Sequence, residues 1–169
     1  MPLAICSLKW DEETDITQKV QYGDDGYHLV RFPYGAAESL DDWGMHNVGN
    51  GGGGHSAFPD ARSGLIWPSH DGWGVVSALV FWAKDDEPSE YRLRFVRDPL
   101  GDAPDSTATS DFTRTGGGQF RAHTWQLMVH PDVPLGLKIT ARGTGDKKIP
   151  TPIVLAEFKL AIHTDVMKP

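Results

Sequence analysis

Several segments of the chain alternate between apolar and polar residues with the period of two that is typical of a half-buried β-strand. The clearest alternation covers residues 153–163. Its apolar side, which we expect to face a core, consists of Val154, Ala156, Phe158, Leu160 and Ile162. Its polar side carries Glu157, Lys159 and His163. The pattern therefore predicts an amphipathic strand in this segment.

Four further segments are predicted to be strands: residues 27–32, 90–96, 119–129 and 135–142. In the second of them, apolar and basic residues alternate, so we expect a half-buried strand with its arginines in water: Tyr91, Leu93 and Phe95 against Arg92 and Arg94. The last of them has an apolar side and a polar side: Leu135, Leu137, Ile139 and Ala141 against Lys138, Thr140 and Arg142.

Residues 73–83 differ from the other segments because both of their sides are apolar. One side holds Trp73, Val75, Ser77, Leu79 and Phe81, and the other holds Gly74, Val76, Ala78, Val80 and Trp82. Enrichment in Val, Phe and Trp favours a strand over a helix, and a strand that is apolar on both sides needs a cover on both. We expect the opposing sheet to cover one side and another copy of the protein to cover the other.

Glycine and proline, 19 and 12 residues respectively, cluster between these segments, as expected for many strands joined by turns. The pattern predicts exposed loops at residues 47–54, 98–111 and 114–118, and a hairpin connection at residues 85–88. One or two helical turns are expected at residues 36–45. The fold class that follows is all-β, an antiparallel β-sandwich.

We assign the sandwich to residues 26–169. Residues 1–25 have two interpretations. They are either an N-terminal arm that attaches the domain to a neighbouring protein, or the first strand of the sandwich, over Leu3–Trp10.

Composition and charge exclude several classes of partner. With 16 basic and 23 acidic residues, the formal net charge is −7, which argues against nucleic acid as a partner. No apolar run approaches the roughly 20 residues that a membrane-spanning helix needs, so no membrane insertion is expected. The N-terminus lacks the pattern of a secretory signal, and the single cysteine, Cys6, allows no internal disulfide. We therefore expect synthesis in a reducing cytosol.

A run of residues around the doubly apolar segment resembles the central strand of the tumour-necrosis-factor and complement-head type of jelly roll: Ile66, Pro68, Asp71, Gly72, Trp73, Val76, Ser77, Ala78, Val80 and Trp82. The later strands stand in the order of that family, so the resemblance covers about the last 105 residues, from Leu65 onward. It departs in two places: at residues 130–132, where His-Pro-Asp replaces the Gly-Asp of the family, and in the first 60 residues, which look unlike the opening strands of the family. The resemblance implies a jelly roll that associates as a homotrimer.

Small jelly rolls of this kind are similar to those of tailed phages of actinobacteria, and residues 8–35 resemble the opening of phage tail proteins. This resemblance implies a structural virion protein, foremost a minor tail or baseplate component, made in the host cytoplasm and bound to other virion proteins. Two alternatives remain: a capsid decoration protein on the head surface, and a carbohydrate-binding module that recognises a host-surface glycan.

The candidate chemistry of the chain does not point to an enzyme. The seven histidines are scattered and show no H-x-H or H-x-D spacing, whereas a zinc or iron site needs converging ligands. The acidic residues near positions 24–26 and 102–105 lack a full set of oxygen ligands for calcium. Ser69, His70 and Asp71 are consecutive, and neighbours on a strand point to opposite faces, so we expect no catalytic triad from them. No cofactor or metal is expected.

The tryptophans are the remaining candidates for contacts with partners. Trp73, Trp82 and Trp125 lie at strand positions and are expected to be buried. Together with Phe81 they are the predicted anchors of packing or self-association. Trp43 lies in a polar stretch and is the residue predicted to be free for contact with a partner.

Overall fold

Ten β-strands form the framework of the protein in a computed structural model, which describes residues 2–13, 26–34, 39–46, 58–149, 152–163 and 165. In chain order the strands are β1 (Leu3–Asp11), β2 (His28–Leu29), β3 (Leu40–Asp41), β4 (Leu65–Ile66), β5 (Gly72–Trp82), β6 (Glu90–Arg97), β7 (Asp105–Thr113), β8 (Gln119–Val129), β9 (Leu135–Arg142) and β10 (Ile153–His163). The described residues also form two short 3-10 helices, Ala61–Gly64 and Thr144–Asp146, and no α-helix.

The strands form two antiparallel sheets that pack face to face. Sheet A has the strand order β3-β1-β10-β5-β8, and sheet B has the order β2-β9-β6-β7, with β4 paired to β9. Strands β5 and β8 pair in an unbroken register of 11 residues each. The predicted antiparallel β-sandwich of the jelly-roll type is therefore confirmed.

Aromatic side chains from both sheets meet in the core. Phe158 of β10 is completely buried, and its ring centroid lies 6.1 Å from that of Phe32 and 6.0 Å from that of Phe95. Burial of one such side chain contributes about 1.5–3 kcal/mol to folding. Because β10 lies between β1 and β5, its alternating side chains connect the middle of sheet A to sheet B.

The N-terminal segment Leu3–Asp11 lies inside the sandwich as β1, which is the second of the two interpretations of residues 1–25. All nine residues of β1 pair with β10, and the side chains of Ala4, Cys6, Leu8 and Trp10 are buried in the core. The sandwich thus begins well before residue 26. Residues 14–25 lie outside the described part of the chain.

Residues 27–32 were predicted as a strand, and the structure assigns only His28–Leu29 to β2. The extended path continues one residue further, because the Val30 amide donates a hydrogen bond to the carbonyl oxygen of Leu137 at 2.9 Å. The ring of Tyr27 is covered by basic side chains, with the guanidinium carbon of Arg94 3.7 Å from its centroid. These contacts hold the segment against sheet B.

Two predictions about connections are wrong. The polar residues 98–111 were expected to be a loop, but Asp105–Thr113 forms β7 at the edge of sheet B. Residues 85–88 were expected to close a hairpin, but β5 belongs to sheet A and β6 to sheet B. The connection therefore crosses between the sheets.

Two smaller predictions also need correction. Helical turns were expected at residues 36–45, but Leu40–Asp41 is the short strand β3 and residues 35–38 lie outside the described part. In β10 a bulge lies between Ile153 and Leu155, so Ile153 is buried and Val154 is only half-buried. The other apolar positions predicted for this strand, and all those predicted for residues 135–142, do face the core. The predicted loop at residues 47–54 lies outside the described part of the chain.

Candidate functional site

The candidate site is the face of sheet A that points away from sheet B, called the outer face below. Four long strands build it with their alternate residues, because the intervening residues point into the core. The register places its residues in five rows across β1, β10, β5 and β8, in that order: Leu3-His163-Trp73-Met128, Ile5-Ala161-Val75-Gln126, Ser7-Lys159-Ser77-Thr124, Lys9-Glu157-Leu79-Ala122 and Asp11-Leu155-Phe81-Phe120.

Large apolar side chains are exposed at both ends of the outer face. At one end Trp73 is 48% exposed and Met128 is 50% exposed, beside Leu3 at 42%. At the other end Phe120 is 59% exposed. Exposed apolar residues are ordinary when they are scattered, but a contiguous patch marks an interaction surface. The register places Leu3, Trp73 and Met128 in one row, and Phe81 and Phe120 in the row at the opposite end.

The end with the two phenylalanines contains a shallow depression. The rings of Phe81 and Phe120 stack, with centroids 4.2 Å apart and planes within 10° of parallel. A depression of about 240 Å³ adjoins them, and Lys9, Asp11 and Glu13 contribute to its wall. This part of the outer face thus offers an apolar floor with charged groups at its rim.

The middle of the outer face is polar. Lys159 and Glu157 are two residues apart on β10 and therefore share the face, and Lys159 Nζ lies 2.5 Å from Glu157 Oε2. Their side chains are 45% and 23% exposed, respectively. Next to them is a second depression of about 140 Å³, lined by this ion pair and by residues 77–79 of β5.

The structure divides the four predicted anchors between the outer face and the interior. Trp73 and Phe81 lie on the outer face, whereas Trp82 is completely buried and its ring centroid is 4.6 Å from that of Tyr91. Trp125 is half-buried and packs against the core, with Arg97 over its ring at 5.2 Å. The predicted burial of Trp73 is wrong for the single chain, because nothing in the described part of the chain packs over that side of β5.

The prediction that Trp43 is free for a partner is not supported by its surroundings. Trp43 is half-buried and packs against the core, and its ring centroid lies 5.7 Å from that of His70. Only part of this side chain is therefore accessible.

Sequence reasoning missed Phe120 and Met128. Their signal was present, since both are in phase with each other along β8 and out of phase with Leu127 and Val129, which are buried. Trp125, the residue of β8 that was predicted as an anchor, lies on the opposite side of the strand.

The described residues form no catalytic constellation around Ser69. Ser69 Oγ lies 2.8 Å from His70 Nδ1, so these neighbours do contact each other, contrary to the expectation from strand geometry. They lie in the turn before β5, where side chains do not alternate between faces. Asp71 instead contacts His130, with Asp71 Oδ1 and His130 Nδ1 2.5 Å apart. The Asp71 carboxylate therefore contacts His130 and not the Ser69–His70 pair.

The described part of the chain offers neither a reactive thiol nor a cluster of metal ligands. Cys6 is buried in the core, where desolvation and the neighbouring Asp41 carboxylate raise the pKa of its thiol, so it is a poor nucleophile. Among the described residues no group of three or more His, Cys, Asp or Glu side chains is placed to hold a metal ion. No helix in the described ranges is long and apolar enough to span a membrane.

Comparison with known proteins identifies the fold. No protein-family model matches the chain, and no curated protein matches its sequence. Among solved structures, the globular domain of the zebrafish complement 1qA protein superimposes with a TM-score of 0.62, covering 96% of this chain and 98% of that domain at 13% sequence identity. The chain therefore has a jelly roll similar to that of a complement head, and this likeness extends to the N-terminal strands.

Proposed function

We propose that this protein is a non-enzymatic structural protein that self-associates as a homotrimer through the outer face of sheet A. The observation that carries the proposal is the group of exposed apolar side chains on that face, with Trp73, Met128 and Phe120 each about half exposed. Removing such surface from water is favourable at about 25 cal/mol per Å². A cover over this face would thus stabilise the protein.

A second copy of the same chain is the occupant that fits the outer face best. Its four charged residues other than histidine balance one another: Lys9 and Lys159 against Asp11 and Glu157. Although the whole chain carries a formal charge of −7, the five rows of this face carry no excess charge that would repel a copy of itself, and Glu13 adds a single acidic group at the rim. The number of three subunits comes from the resemblance to complement-head jelly rolls, and subunits related by a threefold axis make head-to-tail contacts.

We propose further that the trimer is a component of a phage virion, foremost a minor tail or baseplate protein. The support is the similarity to jelly rolls of tailed phages that the sequence suggests. Capsid decoration would use the same trimer with a different attachment. In both cases the partners are other virion proteins.

Glycan binding is a second candidate function, favoured by one observation. Trp73 exposes about half of its surface, and its indole Nε1 donates a hydrogen bond of 3.4 Å to Gln126 Oε1. An exposed indole beside a hydrogen-bonding amide is suited to stacking on a sugar ring. A trimer that buries Trp73 would exclude this function, so the two proposals compete for the same residue.

Three experiments test these proposals. Light scattering at micromolar concentration is expected to give three times the chain mass of 18.6 kDa, and the mass of a single chain would contradict self-association.

Immunogold labelling of phage particles is expected to mark the tail tip. Labelling of the head would favour decoration, and unlabelled particles would contradict the virion role. Binding of the purified protein on a glycan array, lost in Trp73→Ala, would support the second candidate.

A further inference from the structure

The centre of the outer face differs chemically from its two ends. Across the four long strands its middle row consists of polar residues only, namely Ser7, Lys159, Ser77 and Thr124. The exposed Leu40 of the edge strand β3 pairs with Ser7 at the margin of this row. The rows at the two ends carry the exposed Trp73, Met128 and Phe120. Strand β10 is the central strand of sheet A, so Lys159 lies close to the geometric middle of the surface that the proposed trimer buries.

The ion pair at this centre is accessible and adjoins a depression. Lys159 is 45% exposed while its Nζ contacts Glu157, so the ammonium group keeps donors for a second acceptor. The depression of about 140 Å³ beside the pair is also lined by Ser77 and Leu79, and is large enough for part of a side chain. An apolar interface does not need such groups, because desolvation of an ion pair costs about as much as the pair returns.

We propose that the Lys159–Glu157 pair determines the register and the number of subunits in the assembly. The inference rests on the proposed self-association through the outer face. The apolar ends supply the affinity, but apolar contacts tolerate sliding and alternative stoichiometries. A charged pair at the centre is satisfied only where the neighbouring copy places a polar group against it, as a buried polar residue fixes the register of a coiled coil. The occupant of the depression is thus a polar side chain of a second copy.

Two variants test this role by native mass spectrometry and sedimentation velocity. Lys159→Ala removes the cation that contacts the Glu157 carboxylate and leaves beside it only Lys9, which pairs with Asp11. The trimer should therefore dissociate at a concentration on the order of tenfold higher or more. Replacement of both partners by apolar residues of similar size, E157L with K159M, should preserve association but yield a mixture of oligomers. The matched control is E87L with K147M, which removes an exposed pair of the same charges whose atoms lie 3.5 Å apart.

The outcomes separate this inference from the proposal on which it rests. A single-chain mass for the unmodified protein overturns both. A trimeric unmodified protein whose E157L/K159M variant is also a single trimeric species overturns the register role alone, as does unchanged dissociation of Lys159→Ala. Because both side chains are on the surface of the single chain, circular dichroism should show native β-structure in every variant.

Discussion

At the scale of single residues, close packing of the 3-10 helix Ala61–Gly64 against Val30 leaves Gly64 with no room for a side chain. A Cβ atom on Gly64 would lie 2.5 Å from the carbonyl oxygen of Val30, and Gly64 itself is buried. Backbone atoms cannot move away as a flexible side chain can. The approach of residues 26–32 to the rest of the domain therefore depends on glycine at this position.

The variant Gly64→Ala should lower the free energy of unfolding by about 1–3 kcal/mol, because a methyl group would push the Val30 segment away. Chemical denaturation followed by tryptophan fluorescence measures this change. Gly117→Ala is the control, since its Cβ would meet no atom within 4 Å, and it should change stability by no more than about 0.5 kcal/mol. Equal effects of the two variants would show that the close contact is absent.

A second residue, His123, connects the neighbouring edges of the two sheets. Its Nδ1 lies 2.7 Å from Ser110 Oγ of β7, its Nε2 lies 3.3 Å from the Ala108 carbonyl oxygen, and its ring stacks on Phe95 at 4.8 Å. Desolvation lowers the pKa of His123 below its usual value of 6.5, and the hydrogen bond to Ala108 opposes that shift. The folded protein therefore favours the neutral ring.

The free energy of unfolding should accordingly decrease as the pH falls below about 6.5. In that range the unfolded chain binds a proton at His123 that the folded chain does not bind until its own, lower pKa is reached, so the free energy of unfolding decreases as the pH falls between the two pKa values. Thermal melts from pH 8 to pH 5 measure the slope, and His123→Gln should make it shallower. An identical slope in both proteins would contradict the assignment.

At the scale of elements, the first strand is integral to the fold. Strand β1 pairs along its whole length with β10 and contributes four side chains to the core. Deletion of residues 2–21 should therefore unfold the domain, as judged by circular dichroism. A folded truncated protein with near-native melting would restore the interpretation of this segment as an arm.

A single substitution in β1 gives the prediction a magnitude in free energy of unfolding. Trp10→Ala should cost about 3–5 kcal/mol, because Trp10 is 3% exposed and its loss leaves a cavity. Glu12→Ala, at an exposed position just after the strand, should have little effect.

The strands also show which sequence patterns were sufficient to predict secondary structure. Strands β8, β9 and β10 were predicted with the same bounds as in the structure, because each has alternate positions that face the core. Strand β7 was missed because it lies at a sheet edge and buries only Ala108, which leaves no hydrophobic period to detect. The crossing between β5 and β6 was missed because Asp and Pro favour the turn of a hairpin and that of a crossover equally.

At the scale of the whole molecule, the two sides of β5 explain both the fold and the proposed assembly. Val76, Val80 and Trp82 enter the core, and Trp73 and Phe81 form part of the outer face. The sequence predicted this doubly apolar strand and its need for a second cover. The rest of the outer face depends on the register among four strands far apart in sequence, which no local pattern reveals.

The most direct test of the account is the mass of a variant whose outer face carries charges. Trp73→Glu combined with Phe120→Glu should give the mass of a single chain in light scattering while β-structure is retained, because buried unpaired carboxylates oppose association. Leu100→Glu places one such carboxylate at a residue that is 49% exposed in the connection between β6 and β7, and should keep the mass of three chains. A double variant with the same mass as the unmodified protein would contradict the role of the outer face.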